Sequence, residues 1–278
     1  MNIIFLGGDL RQKYASNYFL KNGYDSECYL DFDIEIIEEK LKRADIISFP
    51  IPVSTDGSNL KMKNHCVSLN EIMETVRGRC IILGGKFPNQ IKNTFSTNRK
   101  IIDYMDIEPF QIQNALLSAE GAIYYAKQRF EKSIHGANIA ILGCGRIGKI
   151  LAYLLRSHGA NVTVIARCDI NLTWSKLIGY NIFKLGVKSP QTTLNYDIIF
   201  NTIPFHIIDE CFASKIDKNT IIIDLASYPY GIDEKTVEKY NIKYYRELGI
   251  PGRYAPQSAG EIIAKTIINY VLTREDLF

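Results

Sequence analysis

At 278 residues, with 46% hydrophobic and 23% charged side chains, the chain has the composition of a folded globular protein and is long enough for two domains. Its net charge of +3, with basic and acidic residues interspersed, argues against a nucleic-acid-binding face. Six cysteines with no CxxC pair and no His at ligand spacing argue against a metal site or disulfide framework. The first residues do not read as a secretory signal and no stretch approaches the ~18 apolar residues of a membrane span, so a cytoplasmic location is expected.

The first apolar run, Asn2–Leu6, is closed by Gly7 and Gly8 and followed by a helical pattern over 11–22. The cycle repeats with a strand at 26–30, an amphipathic helix at 34–43 and an apolar strand at 45–49 ended by Pro50 and Pro52. A helix around 69–77 leads into an apolar run at 80–83, closed by Gly84 and Gly85. Over 114–133 the spacing of Leu117, Ile123, Tyr124 and Phe130 predicts a connecting helix. Then come strands at 137–142, Asn161–Ala166, 197–201, 220–225 and Lys243–Arg246, with a helix at Arg146–Ser157. The alternation predicts an α/β fold: two Rossmann-like parallel-sheet domains joined by long connecting helices. Residues 1–113 are expected to form the substrate domain, with a C-terminal helix at 257–278 packing back on it, and 134–256 the cofactor domain.

Gly143, Gly145 and Gly148 make a GxGxxG motif directly after an apolar strand and at the head of a helix. Such glycines permit a tight turn, close approach of backbone to a diphosphate, and close packing of helix on strand. Arg146 and Ile147 lie inside the motif, where helix N–H groups favour an anion. The following strand ends at Ala166 and Arg167, where NAD-binding versions carry Asp or Glu for the ribose 2′-hydroxyl. Arg167 suits a 2′-phosphate instead, so NADP is the expected cofactor, with Asp169 as the neighbouring residue that opposes it.

Ligands of open α/β sheets lie beyond the carboxyl ends of the strands. That edge carries Thr202, Ile203, Pro204, Ala226 and Ser227 as cofactor contacts, and Asp9, Arg11, Val53, Ser54 and Lys86 as substrate contacts. Arg11 opens a helix, where a cation opposes the dipole, so either a substrate carboxylate or Asp9 is expected to supply its counter-charge. Glu120 either handles a substrate proton or complements the start of the connecting helix. His206, after the Pro204 turn, is the other proton-transfer candidate.

GGDLRQ at 7–12, AEGAI at 119–123, IHGANIAILGCGRIG at 134–148, NTIP at 201–204, DLAS at 224–227 and PGRYAPQSAG at 251–260 together resemble the A subunits of dipicolinate synthases, enzymes of sporulation. The resemblance runs nearly end to end. It implies an oxidoreductase that, with a flavoprotein-like B subunit of dipicolinate synthase, oxidises a dihydrodipicolinate-type ring to pyridine-2,6-dicarboxylate with NADP as acceptor. Arg11, with Lys86 or Arg253, would meet the dicarboxylate, and Glu120 or His206 would serve if water must also leave. A homo-oligomer is a general expectation only. Two alternatives stay open: a non-catalytic NADP-binding scaffold, and a D-2-hydroxyacid dehydrogenase. The latter lacks its Arg at 224–227 and its His at 255–259.

Overall fold

The computed structural model describes residues 1–62, 64–186 and 194–273. They form two compact units: Met1–Asn114 together with the segment from Pro251 onward, and Ala115–Ile250.

The first unit runs β1 (Asn2–Leu6), α1 (Leu10–Lys21), β2 (Asp25–Tyr29), α2 (Ile34–Arg43), β3 (Ile46–Ser48), β4 (Asn59–Lys61), β5 (Cys66–Ser68), α3 (Leu69–Thr75), β6 (Ile81–Gly84), α4 (Asn89–Phe95) and β7 (Lys100–Asp103). Five strands make a parallel sheet in the order β2-β1-β3-β6-β7, while β4 and β5 pair separately as an antiparallel hairpin. Strands buried on both faces need near-continuous apolar sequence, and Ile3, Ile4, Phe5 and Leu6 are all fully buried. The strand order reverses between β1 and β3, the switch point at which such sheets open a crevice.

Helix α5 (Glu108–Lys127) carries the chain into the second unit. It begins before residue 114, where the sequence pattern starts it, because Pro109 occupies the first turn, where a missing N–H breaks no intrahelical bond. The helix also ends before 133. Then follow β8 (Asn138–Leu142), α6 (Arg146–Ser157), β9 (Asn161–Ala166), α7 (Asp169–Leu177), β10 (Asn181–Lys184), β11 (Ile198–Asn201), α8 (Glu210–Ala213), β12 (Ile221–Asp224), α9 (Glu234–Tyr240) and β13 (Lys243–Arg246). The sheet order is β10-β9-β8-β11-β12-β13, parallel throughout, the Rossmann order with its switch point between β8 and β11. The expected α/β architecture of two parallel sheets is therefore present. No helix among the described residues is long and apolar enough to cross a membrane.

The chain returns to the first unit through α10 (Ile250–Tyr254) and α11 (Pro256–Ile267), continued by a π-helical turn over Ile268–Leu272. The sequence pattern carries the C-terminal helix toward 278; residues 274–278 lie outside the described residues. α11 packs on α1 with an approach that only glycine allows: a Cβ at Gly260 would stand 2.6 Å from the Arg11 carbonyl oxygen and 2.6 Å from Tyr14 Cβ. Two segments far apart in sequence, 7–12 and 251–260, are thus one packed unit. Replacing Gly260 by Val is expected to destabilise by about 1–3 kcal/mol through overpacking, read as a lower urea midpoint; an unchanged midpoint would mean the helices can separate freely.

Candidate functional site

The clearest ligand-binding geometry lies at the carboxyl end of β8. Gly143 has φ 103°, a conformation that favours glycine, and a Cβ there would meet Thr202 Oγ1 at 2.3 Å. A Cβ on Gly148 would stand 2.2 Å from the Gly143 carbonyl oxygen, so glycine lets α6 seat its first turn against the strand end. Gly145 differs: nothing lies within 4 Å of its would-be Cβ, and it caps α6 with no side-chain hydrogen bond. Two glycines are required by packing and the third leaves open space before a helix N-terminus. That is the arrangement a diphosphate needs, so the residues fit a dinucleotide.

At the end of β9, Arg167 is exposed and makes no hydrogen bond or ion pair among the described residues. Asp169, whose charge opposes a 2′-phosphate, is neutralised by Lys184, whose Nζ lies 2.7 Å from its Oδ2. Lys184 comes from β10, a strand that its exposed, mixed sequence does not announce, and its backbone registers with Ala166.

A buried carboxylate absent from the sequence-derived candidates holds the other wall. Asp224 is fully buried at the end of β12 and accepts four hydrogen bonds: from Asn201 Nδ2 at 2.8 Å, Ala226 N at 2.9 Å, Gly231 N at 2.7 Å and Tyr244 hydroxyl at 2.7 Å. Burial, and next the hydrogen bond to this carboxylate, push the Tyr244 pKa up. Asn201, its register partner on β11, also accepts from Ile203 N at 3.1 Å. Thr202 Oγ1 donates to the Leu142 carbonyl at 2.9 Å. Thr202, Ile203 and Ala226 are therefore fixed backbone positions beside the glycine turn, with Pro204 and Ser227 exposed next to them. The available signal was two all-apolar strands, IIFN and IIID, each closed by one polar residue.

His206 is exposed, and its Nε2 donates to the Pro229 carbonyl at 2.8 Å. Glu120 lies well inside α5, so complementing the helix start does not explain it; dipole effects are confined to the first turn. It is half-buried and makes no hydrogen bond or ion pair among the described residues.

In the first unit, Asp9, Arg11, Val53, Ser54 and Lys86 all follow strand ends, but most are already engaged. Asp9 caps α1, and Arg11 donates to it through Nε at 2.8 Å and Nη2 at 2.9 Å, with a further bond from Nη2 to the Ile51 carbonyl at 2.9 Å. The counter-charge of Arg11 is thus Asp9, and a substrate is not needed to supply it; Nη1 alone lacks a partner among the described residues. Burial raises the Asp9 pKa, but the hydrogen bonds and charge of Arg11 outweigh it and hold the carboxyl below its ordinary range. Gly252 makes room for this pair, since its Cβ would fall 2.5 Å from Asp9 Oδ2. Val53 is buried and fills the space above Gly84, which makes it a packing residue rather than a ligand contact. Ser54 Oγ is used by a turn, donating to the Asn59 carbonyl at 2.7 Å. Lys86 is exposed with φ 56°, and its N–H donates to Asp103 at 3.0 Å.

Asp103 is buried and ties Lys86 N, Phe87 N at 3.1 Å and Met105 N at 2.9 Å, with Lys92 Nζ at 2.9 Å. Burial raises its pKa, yet Lys92 and these N–H groups more than offset that and lower it.

Residues 2–105 match the family of dipicolinate synthase A-subunit N-terminal domains, and residues 138–228 match that described as NADP oxidoreductase coenzyme F420-dependent. The chain is similar to the dipicolinate synthase A subunit of Bacillus subtilis, 29% identical over 96% of this chain and 94% of that one. The crystal structure of the dipicolinate synthase A subunit from Bacillus halodurans superposes with a TM-score of 0.85 at 29% identity, covering 98% of each chain. A Salmonella D-lactate dehydrogenase shares the two-domain fold, with a TM-score of 0.65 at 12% identity over 97% of this chain and 95% of that one.

Because the folded-state pKa of Asp103 is lowered, its contribution to stability is complete above the ordinary carboxyl value, about 3.9, and is lost as pH falls through the depressed value. The Asp103→Asn variant should therefore be less stable than the parent at pH 7, with the gap in urea midpoints closing in acid. A gap independent of pH would contradict the ionised Asp103–Lys92 pair.

Proposed function

We propose, for a chain that belongs to the family of dipicolinate synthase A subunits and carries a NAD(P)-binding Rossmann-type domain, that it oxidises a dihydrodipicolinate-type precursor to pyridine-2,6-dicarboxylate with NADP, acting together with a B subunit. The observation that carries the cofactor choice is an Arg167 at the end of β9 that is exposed and unpaired among the described residues, beside an Asp169 already neutralised by Lys184. A carboxylate in the same place would repel a 2′-phosphate.

When bound, the oxidised nicotinamide supplies a hydride acceptor. The glycine turn and the head of α6 hold the diphosphate, and Arg167 meets the extra phosphate. Ile203, Ala226 and their neighbours form a wall braced by the hydrogen bonds of Asp224 and Asn201. Arg11, held by Asp9, offers Nη1 to one carboxylate of the substrate, with Lys86 and Arg253 as further cations. The precursor would lose a hydride to the nicotinamide and a proton to solvent as its ring becomes aromatic, and Glu120 or His206 would move a proton if water must also leave. The similar B. subtilis protein is named for an A subunit, and that name is what supports a B-subunit partner.

A non-catalytic NADP-binding scaffold is the second reading, favoured by the engagement of Arg11 by Asp9 and of His206 by Pro229. Turnover separates the two. With the B subunit present, Arg11→Ala should lose most turnover while still binding NADP; unaffected turnover would favour the scaffold. For the cofactor, calorimetric titration should show NADP binding more tightly than NAD, with Arg167→Ser costing about tenfold or more for NADP and little for NAD. Equal affinities in the parent protein would contradict the NADP assignment.

A further inference from the structure

Two large aromatic side chains in the second unit stand in solvent on loops that hydrogen bonds tie to each other. Phe205 is 67% exposed and Tyr228 is 81% exposed. Each is the fourth residue past the end of a strand, Asn201 on β11 and Asp224 on β12, and these ends are register partners. The two loops are tied to each other: Ile207 N and Ile208 N donate to the Gly231 carbonyl at 3.0 and 2.9 Å, and His206 Nε2 donates to the Pro229 carbonyl at 2.8 Å. Asp224 anchors the second loop through Gly231 N.

Beneath Tyr228 lies a stack. Tyr230 meets it edge-on with centroids 5.7 Å apart at 88°, and the Arg246 guanidinium covers Tyr230 at 3.8 Å. Tyr230 adopts φ 69°, a left-handed conformation that costs a non-glycine residue energy and is kept here by that stack and by its N–H donating to the Ser227 carbonyl at 3.0 Å. Tyr228, held edge-on by Tyr230, and Phe205, on the loop tied to it, are left facing water at the ligand edge of a sheet, where aromatic rings gain by covering a flat apolar face.

We propose that Phe205 and Tyr228 form a stacking platform for a planar six-membered pyridine-type ring, that of the dicarboxylate into which the substrate is converted. The inference rests on the function proposed above. A planar ring offers each aromatic side chain a full face, whereas a saturated ring does not, so the platform favours the aromatised ring over a saturated one.

The test is calorimetric titration of pyridine-2,6-dicarboxylate and of its saturated analogue, piperidine-2,6-dicarboxylate, into the NADP-loaded protein. NADP and 2′-phospho-ADP-ribose are titrated separately into the cofactor-free protein. The parent should prefer the planar ring. Phe205→Ala with Tyr228→Ala should lose about tenfold in affinity for the planar ring and most of that preference, while Tyr228→Phe keeps both. Unchanged affinity for the planar ring in the double variant overturns the platform and leaves the cofactor assignment standing. A loss confined to NADP, absent with 2′-phospho-ADP-ribose, would assign the rings to nicotinamide and overturn the substrate role. Failure of the parent to bind NADP would overturn both this inference and the function beneath it.

Discussion

A side chain at position 148 would put its first carbon 2.2 Å from the Gly143 carbonyl oxygen, so α6 can begin where it does only because residue 148 has none. That one approach sets the distance between a helix N-terminus and the end of β8, and with it the place where backbone N–H groups can meet an anion. Neighbouring residues are arranged around it. Thr202 bonds to the Leu142 carbonyl just before the turn, and Asn201 and Asp224 fix the next two strand ends. The glycines make the turn possible, and buried polar groups keep it from relaxing.

The first unit solves a related problem with charge. Its sheet reverses order between β1 and β3, and the Asp9–Arg11 pair lies just past the first of these strands. Gly252 and Gly260, from the returning C-terminal segment, give this pair and α1 the room they need. An Arg near a helix start, unfavourable by itself, is acceptable because Asp9 both caps the helix and neutralises the cation. The cost of immobilising Arg11 is met by the fold, leaving Nη1 without a partner among the described residues.

Much of this was legible in the chain. The GxGxxG motif could be interpreted because an apolar strand precedes it and an amphipathic helix follows, and α6 spans the residues that the pattern assigned, Arg146–Ser157. Arg167 was visible from its distance beyond the glycines. What sequence did not disclose depends on pairs remote in the chain. Nothing local shows that Lys184 will neutralise Asp169, because β10 is short and mostly exposed. Asp224 reads as one more polar residue near the end of a strand until Tyr244, Asn201 and Gly231 converge on it. Arg11 could be read two ways because its partner, two residues away, and a ligand carboxylate satisfy the same charge. The early start of α5 escapes a reading based on apolar spacing alone, although its first turn tolerates Pro109.

The central claim is that a diphosphate rests against the head of α6 at Gly145, in the space its missing side chain leaves open. A crystal structure of the protein grown with NADPH tests it most directly. Diphosphate oxygens within hydrogen-bonding distance of the Arg146 and Ile147 amides, with the 2′-phosphate on Arg167, is the predicted result. NADPH bound with its diphosphate elsewhere, or a Gly145→Val protein that binds NADPH as tightly as the parent, would contradict it.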